Sequence, residues 1–184
     1  MESGMITLEQ VYNQLREKPS DINEHLPTLK KLAEECSSVV EMGVRWVVST
    51  WAFLAAQPKS LLSIDIDHPS KYNNSLEIIE DLKGQTEFTF LQADTTKIEI
   101  EECDLLFIDT WHVYDQLKKE LDLHGNKAQK YLVFHDTITF GEKGETHGHV
   151  GLMPAINEFL SDNPHWSILE HHKNNNGLLV LSRA

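Results

Sequence analysis

Two apolar runs in this sequence end on side chains that can do acid–base or metal chemistry. The first run covers residues 104–109 and ends on Asp109, with His112 three positions later. The second run ends on the adjacent pair His135 and Asp136. In an open parallel sheet, ligands bind at the carboxyl ends of the strands, so both sets of polar groups are expected to face one site. Two such strand ends can converge on one metal ion or one reacting hydroxyl.

Two earlier strand ends carry acids as well, and these suit a nucleoside-containing ligand. Glu41 precedes Gly43, which opens the loop leading to a helix near Ser49, and glycine there lets the backbone approach a ligand closely. Asp65 ends the next predicted strand, where α/β nucleoside-binding proteins place the carboxylate that binds ribose hydroxyls. Each acid alone is an ordinary feature of a strand end, but four in succession favour a shared binding edge.

The second pair of strand ends predicts the chemistry of the site. Carboxylates at Asp109 and Asp136 suit Mg²⁺ or Mn²⁺, and Zn²⁺ or Fe²⁺ if both histidines also bind. A bound dication would lower the pKa of an acceptor hydroxyl, and a histidine near neutral pKa can take the proton. We therefore predict His112 as a general base. His135 either binds the metal or orients Asp136, and the sequence leaves both interpretations open.

The pattern along the chain predicts the elements that position these residues. Thr7–Gln10 reads as a capping box that opens an N-terminal helix, and a second helix follows near Leu26–Glu35. From Ser38 onward, short apolar strands alternate with amphipathic helices, which is typical of a parallel α/β sheet. The last two strands are predicted to pair across the turn Asn174–Gly177. We expect a helical cover in residues 1–36 and one α/β domain in residues 37–184.

Composition sets the broad class. The 184 residues include 16 basic and 29 acidic side chains, for a net charge of −13, which argues against nucleic acid or an anionic membrane as a partner. Two isolated cysteines, Cys36 and Cys103, favour a reducing compartment. With no signal peptide and no apolar run of membrane-spanning length, the sequence predicts a cytoplasmic protein whose partner is a small molecule, and it leaves homo-oligomer formation open.

The order of these residues carries a resemblance. It is Glu41-x-Gly43…Ser49-Thr50, Asp65, Asp94, Asp109-x-x-His112 and His135-Asp136. This order resembles class I S-adenosylmethionine-dependent methyltransferases, and most of all the small metal-assisted O-methyltransferases and cephalosporin-hydroxylase-like relatives. The resemblance spans about residues 37–184. It implies a Rossmann-like α/β fold with a seven-stranded, mostly parallel sheet and a terminal antiparallel hairpin.

The resemblance also implies a role for each residue. Glu41, Gly43 and Ser49 would border the methionine part of S-adenosylmethionine, Asp65 would bind its ribose, and Asp94 would lie near adenine. The positions of Asp109, His135 and Asp136 match those of divalent-metal ligands, and His112 matches a general base. The implied activity is O-methylation of a small hydroxylated molecule, with Mg²⁺ or another divalent cation assisting.

Three features depart from the pattern. Val47 stands where the family loop has a further glycine, and its side chain is expected to narrow the methionine pocket. The metal pair is His135-Asp136, where metal-dependent relatives have acid-Asp or Asp-Asn. The stretch from Asp94 to Cys103 is short, which predicts that one crossover helix is missing.

Other functions remain open from the sequence. A metal-dependent hydrolase or oxygenase would use the Asp/His group without the cofactor, and a non-catalytic nucleoside-binding domain would use the fold alone. A nicotinamide oxidoreductase is disfavoured because no Gly-x-Gly-x-x-Gly follows the first strand. The glycine-containing segment 140–149 is predicted to be a mobile lid over the acceptor.

Overall fold

The computed structural model describes residues 6–184, which alternate between strands and helices from residue 38 onward. The helices are α1 Leu8–Glu17, α2 Leu26–Glu34, α3 Val48–Ala55, α4 Ser75–Leu82, α5 Tyr114–His124 and α6 Leu152–Asp162. The strands are β1 Ser38–Met42, β2 Ser60–Asp65, β3 Glu87–Gln92, β4 Cys103–Ile108, β5 Ala128–His135, β6 Trp166–His172 and β7 Leu178–Arg183. None of the helices in the described part of the chain has the length and apolarity of a membrane span.

The seven strands form one sheet in the order β3-β2-β1-β4-β5-β7-β6. Strands β1 to β5 run parallel to one another, whereas β7 pairs antiparallel with both β5 and β6. The predicted Rossmann-like methyltransferase fold is therefore confirmed, including its terminal antiparallel hairpin. This order places the carboxyl ends of β1, β2, β4 and β5 along one edge, which is where the polar strand ends lie.

Apolar side chains bury both faces of the sheet. Helices α1 to α4 contribute to one hydrophobic cluster, and α5 and α6 contribute to the other. Leu26 and Leu29 of α2 are fully buried and belong to the same cluster as Phe53 of α3. The N-terminal helices thus share a core with the sheet, and the predicted boundary after residue 36 stays a prediction.

Local sequence signals explain where several elements begin. The predicted capping box is present, because the Thr7 hydroxyl accepts from the backbone N–H of Gln10 and the Gln10 side chain accepts from that of Thr7. Helix α4 starts at Ser75, six residues after Pro69. Pro69 opens only a short 3₁₀ turn, and the Asn73 side chain accepts from the Ser75 backbone N–H. The missing crossover helix is confirmed, since residues 93–102 join β3 to β4 without one.

Gly43 fixes the contact between the β1 loop and β4. Its φ is +88°, and a Cβ built there would lie 1.9 Å from the backbone oxygen of Asp109. Only glycine tolerates both this backbone conformation and this close approach. The loop after β1 and the end of β4 are therefore held in direct backbone contact.

Gly43→Ala is expected to lower the free energy of unfolding by roughly 3 kcal/mol or more, because left-handed strain adds to overpacking against backbone. Gly148→Ala is the matched control, since Gly148 has a similar φ of +85° and nothing within 4 Å of its built Cβ. That control should cost only about 1 kcal/mol. Urea unfolding of both variants provides the comparison, and equal losses would contradict the close contact.

Candidate active site

A cavity of about 650 Å³ opens at the carboxyl edge of the sheet. A volume of this size suits a small-molecule or cofactor ligand. The predicted site residues that line it are Gly43, Ser49, Asp65, Asp94, Asp109, His112 and Asp136. Glu41 and His135 lie behind its wall and are almost inaccessible to solvent. The structure therefore brings the two groups of strand ends into one space.

The loop after β1 is conformationally strained. Gly43, Arg45 and Val47 all have positive φ, of 88°, 38° and 63°. Strain of this kind in non-glycine residues is typical of functional loops. The Val47 side chain is fully buried in the hydrophobic cluster and does not line the cavity. The expectation that Val47 narrows the pocket is therefore wrong, because its side chain points into the core.

Glu41 supports this loop from behind. Its carboxylate accepts hydrogen bonds from the hydroxyls of Ser49 (2.5 Å), Ser63 (2.6 Å) and Thr50 (2.8 Å). Burial raises the pKa of Glu41 to about 7, although the three hydroxyls favour the charged form. Glu41 thus joins β1, β2 and the start of α3 and makes no direct contact with the cavity. Its cofactor-binding role stays a prediction, and the structure limits that role to positioning the loop.

The raised pKa of Glu41 predicts a pH-dependent stability. The folded state binds the proton more tightly than the unfolded state, so stability falls as pH rises from about 4.5 to about 7 and stays low above that. Because one pKa unit corresponds to about 1.36 kcal/mol, the loss of stability should amount to about 3 kcal/mol. Glu41→Gln should remove this component. Urea titrations of both proteins at pH 5 and pH 8 measure it, and parallel pH dependences would contradict it.

Asp65 organises the cavity side of the same loop. Its Oδ2 accepts from the backbone N–H groups of Val44 (2.7 Å) and Arg45 (3.0 Å), and its Oδ1 accepts from that of Asp67 (2.9 Å). A carboxylate offers about four acceptor positions, so one position remains for a ligand hydroxyl. Asp65 is therefore placed to bind a ligand and to hold the loop around it.

Asp94 lines the cavity from a tight turn after β3. Its Oδ1 accepts from the Thr96 hydroxyl (2.7 Å) and backbone N–H (3.0 Å), and its Oδ2 lies 2.9 Å from the Lys97 ammonium. These contacts, with the Thr96 hydroxyl first, lower the pKa of Asp94 to about 2. Asp94 is therefore a charged acceptor at neutral pH.

Asp109, His112 and Asp136 converge where β4 and β5 end. His112 Nε2 lies 3.0 Å from both Asp109 Oδ1 and Asp136 Oδ2. One ligand atom from each of the three residues lies within 4.8 Å of the other two. Asp136 has a φ of 59°, a left-handed conformation that is uncommon outside glycine. These two carboxylate oxygens, together with an imidazole nitrogen of either His112 or His135, fit a divalent cation.

Electrostatics couples these groups. Burial lowers the pKa of His112, but the carboxylates of Asp109, Asp136 and Glu145 outweigh burial and raise it to about 9. Burial alone would raise the pKa of Asp109, but the imidazoles of His135 and His112 hold it well below its usual range. In this arrangement His112 is protonated at neutral pH and neutralises part of the acid pair. His112 can therefore act as a proton acceptor at neutral pH only when another positive charge lies near the carboxylates and lowers its pKa.

His135 lies beneath the acid pair. Only 1% of its side chain is exposed, and its Nδ1 is 3.4 Å from Asp109 Oδ1 and from Asp136 Oδ2. Its Nε2 lies 3.2 Å from the backbone oxygen of Asn175, which can only accept. The carboxylates outweigh burial and raise the pKa of His135 to about 10. The ring is thus fixed in place with Nδ1 directed at the acids.

The segment after β5 supplies contacts that the sequence did not predict. Glu145 Oε2 lies 3.0 Å from His112 Nδ1, and the Phe140 ring stacks on the His112 ring at 5.1 Å. Backbone bonds join Glu145 to His112 and Gly144 to His149. Nothing in the local pattern around Glu145 indicated this contact. These bonds tether part of the predicted lid, whose mobility stays a prediction.

Comparisons with solved structures support the fold. An O-methyltransferase from Bacillus cereus in complex with S-adenosylhomocysteine matches with a TM-score of 0.67 and 13% identity, over 100% of this chain and 93% of that one. A protein from Corynebacterium glutamicum matches with a TM-score of 0.70 and 16% identity, over 100% of this chain and 93% of that one. Magnesium protoporphyrin IX methyltransferase from Synechocystis, with bound S-adenosylmethionine, matches with a TM-score of 0.62 and 13% identity, over 96% of this chain and 91% of that one.

Sequence comparisons add nothing to this result. No protein-family model matches the chain, and no curated protein matches it. At 13–16% identity the structural likeness shows the class I methyltransferase fold and leaves the activity to be argued from the site.

Proposed function

We propose that this protein is an S-adenosylmethionine-dependent methyltransferase that methylates a hydroxyl of a small molecule, with a divalent cation assisting. One observation carries the proposal: a single cavity joins a nucleoside-type binding half to an acid–histidine reaction half. The first half is the loop at Gly43 with Asp65 and Asp94. The second half is Asp109, His112 and Asp136, with His135 behind them.

The binding half fits a positively charged nucleoside cofactor. Asp65 retains an acceptor position for ribose hydroxyls, and Asp94 is held as an anion in the cavity wall after β3. Gly43 lets the loop backbone approach the ligand, and Ser49 lines the cavity beside it. The excess of carboxylates along the wall suits a sulfonium cation. The solved relatives with bound S-adenosylhomocysteine or S-adenosylmethionine are consistent with this assignment.

The reaction half fits proton removal from an acceptor hydroxyl. Asp109, His135 and Asp136 would hold a divalent cation, which lowers the pKa of a nearby hydroxyl when bound. The positive charge of that cation beside the acids would lower the pKa of His112. A neutral His112 can then accept the proton of the acceptor hydroxyl. Glu145 orients the His112 ring through Nδ1, and Nε2 lies beside the two carboxylates in the cavity wall. Trp111, nearly half exposed at the rim, would pack against the acceptor.

S-Adenosylmethionine binding is the first test of this function. The wild-type chain should bind S-adenosylmethionine and S-adenosylhomocysteine in calorimetry. Asp65→Ala should weaken binding by about 1–3 kcal/mol, the value of a lost set of charge-assisted hydrogen bonds. Asp67→Ala is the control, because the Asp67 carboxylate also lines the cavity but is paired with Lys71 on the surface. It should change binding much less.

Absence of binding to the wild type at millimolar cofactor would contradict the methyltransferase proposal. The acid–histidine half would then favour a metal-dependent hydrolase or oxygenase, provided that the protein binds metal. A protein that binds the cofactor but shows no transfer to any hydroxylated acceptor would instead fit a nucleoside-binding domain.

A further inference from the structure

One buried nitrogen in this molecule has no hydrogen-bond partner and points at the acid pair. It is Nδ1 of His135, in a residue that is 1% exposed. The other ring nitrogen, Nε2, lies 3.2 Å from the backbone oxygen of Asn175 and must donate to it. In the neutral ring, Nδ1 therefore carries a lone pair.

That lone pair faces two carboxylates. Nδ1 is 3.4 Å from Asp109 Oδ1 and 3.4 Å from Asp136 Oδ2, which is longer than a good hydrogen bond. A lone pair directed at two anions is unfavourable, so without metal a proton on Nδ1 supplies the positive charge among the three atoms. A dication bound there would displace that proton and take its place. Together these atoms form a donor set for a dication, with two carboxylate oxygens and one imidazole nitrogen.

We propose that His135 binds the metal through Nδ1 and that this nitrogen makes the site select a transition-metal dication of the Fe²⁺, Co²⁺ or Zn²⁺ kind over Mg²⁺. The inference rests on the metal site of the proposed function, but it does not depend on methyl transfer. Imidazole suits the later first-row metals, whereas Mg²⁺ prefers carboxylate, carbonyl and water oxygens. The affinity of such sites also rises along the series toward Cu²⁺.

His112 is the other imidazole near the acids, and its surroundings differ. Both of its nitrogens already contact carboxylates, with Nδ1 at Glu145 and Nε2 at Asp109. It lines the cavity and belongs to the loop after β4, where it can meet an acceptor. His135 lies on a buried strand with one nitrogen anchored and the other unpartnered. These differences assign ligation to His135 and proton transfer to His112.

Asn175 is the positioning residue for this ligand. Its backbone oxygen accepts from His135 Nε2 and also lies 3.1 Å from His25 Nε2. Its side chain bonds to the backbone of Ser20 and Glu24, which fixes the turn to the N-terminal segment. Such outer contacts set the tautomer of a metal-binding histidine and hold its ring in place.

The test measures metal selectivity without cofactor or acceptor. Chelator-treated full-length protein is titrated calorimetrically with Mg²⁺, Co²⁺ and Zn²⁺ separately. The wild type should bind Co²⁺ and Zn²⁺ at least roughly 100-fold more tightly than Mg²⁺. His135→Asp supplies oxygen in place of nitrogen and should reduce that ratio at least roughly tenfold. His124→Gln is the matched control, because His124 also has a buried unpartnered Nδ1 and a backbone acceptor at Nε2, but lies outside the acid pair.

A measurement on the wild type protects the test against a misfolded variant. The ¹⁵N resonance of His135 Nδ1 should shift when Zn²⁺ is added, while the Nε2 resonance should keep the character of a protonated nitrogen. Wild-type protein that prefers Mg²⁺, binds none of the ions, or shows an unmoved Nδ1 resonance would overturn the proposal. Loss of selectivity in His112→Gln with full selectivity in His135→Asp would also overturn it. Failure of methyl transfer alone would leave all of these results unchanged.

Discussion

Replacing His112 with glutamine is expected to lower kcat by roughly 10²–10⁴-fold, which is the usual contribution of a positioned general base. Glutamine keeps polar atoms near Asp109 and Asp136 but cannot accept the acceptor's proton. Cofactor affinity should hardly change, because Asp65 and Asp94 follow β2 and β3, whereas His112 follows β4 on the other side of β1. Single-turnover methylation, followed by release of S-adenosylhomocysteine, measures the step directly.

The pH profile separates a base from a residue that only packs. With the acids unneutralised, the pKa of His112 is about 9, so the rate should rise with pH until that value. A bound dication opposes the pull of the carboxylates and should move this limb to lower pH. The limb should disappear in His112→Gln. His149→Gln serves as the control, since His149 packs near Trp111 and does not line the cavity. Wild-type rates and profile in His112→Gln would remove His112 from the chemistry.

The location of the site could be predicted from the sequence because parallel topology determines it. Polar residues at the ends of apolar strands must meet at one edge once the strands are parallel neighbours. Asp65, Asp109 and Asp136 lie there as expected, and Gly43 allows the β1 loop to contact the end of β4. The alternation of strands and helices is visible in the sequence, and it is enough to predict both the fold and the edge at which these strand ends meet.

The direction of individual side chains was harder to predict. Glu41 lies within β1, two residues before Gly43, and shares a sheet face with Val39, so its carboxylate meets the hydroxyls of α3 and β2 instead of the cavity. Val47 has the positive φ expected of a glycine, yet its side chain is buried in the core. The alternation of side chains along β1 decides the direction of Glu41, and the backbone conformation of the loop decides the direction of Val47. The sequence of a strained loop does not show which backbone conformation it adopts.

Contacts between distant segments were missed for a different reason. Glu145 reaches His112 across 33 residues, and Asn175 reaches His135 across 40. The sequence predicted a turn at Asn174–Gly177, but not that its backbone would anchor a histidine beneath the acids. These contacts follow from how loops fold over the sheet edge. Periodicity and motif spacing carry no information about them.

Asp109→Asn is expected to lower the affinity for a divalent cation by roughly 100- to 4,000-fold. Asp109 Oδ1 is the atom at which both imidazoles meet, 3.0 Å from His112 Nε2 and 3.4 Å from His135 Nδ1. Asparagine keeps the shape of the side chain and removes its charge. Removing one partner from a buried charged group costs about 3–5 kcal/mol, which corresponds to that loss of affinity.

Metal analysis of the purified proteins and thermal shifts on adding Mn²⁺, Co²⁺ or Zn²⁺ measure this effect, because a ligand that binds the folded state raises the Tm. Asp104→Asn is the control at the opposite end of the same strand, where the carboxylate accepts from the Ser37 backbone N–H and takes no part in the site. It should alter stability without altering the metal-induced shift. Equal shifts in wild type and Asp109→Asn would place the cation elsewhere. Loss of the shift together with loss of methyl transfer would instead tie the acid pair to both binding and reaction, since the same carboxylate that attracts the cation also controls the proton on His112.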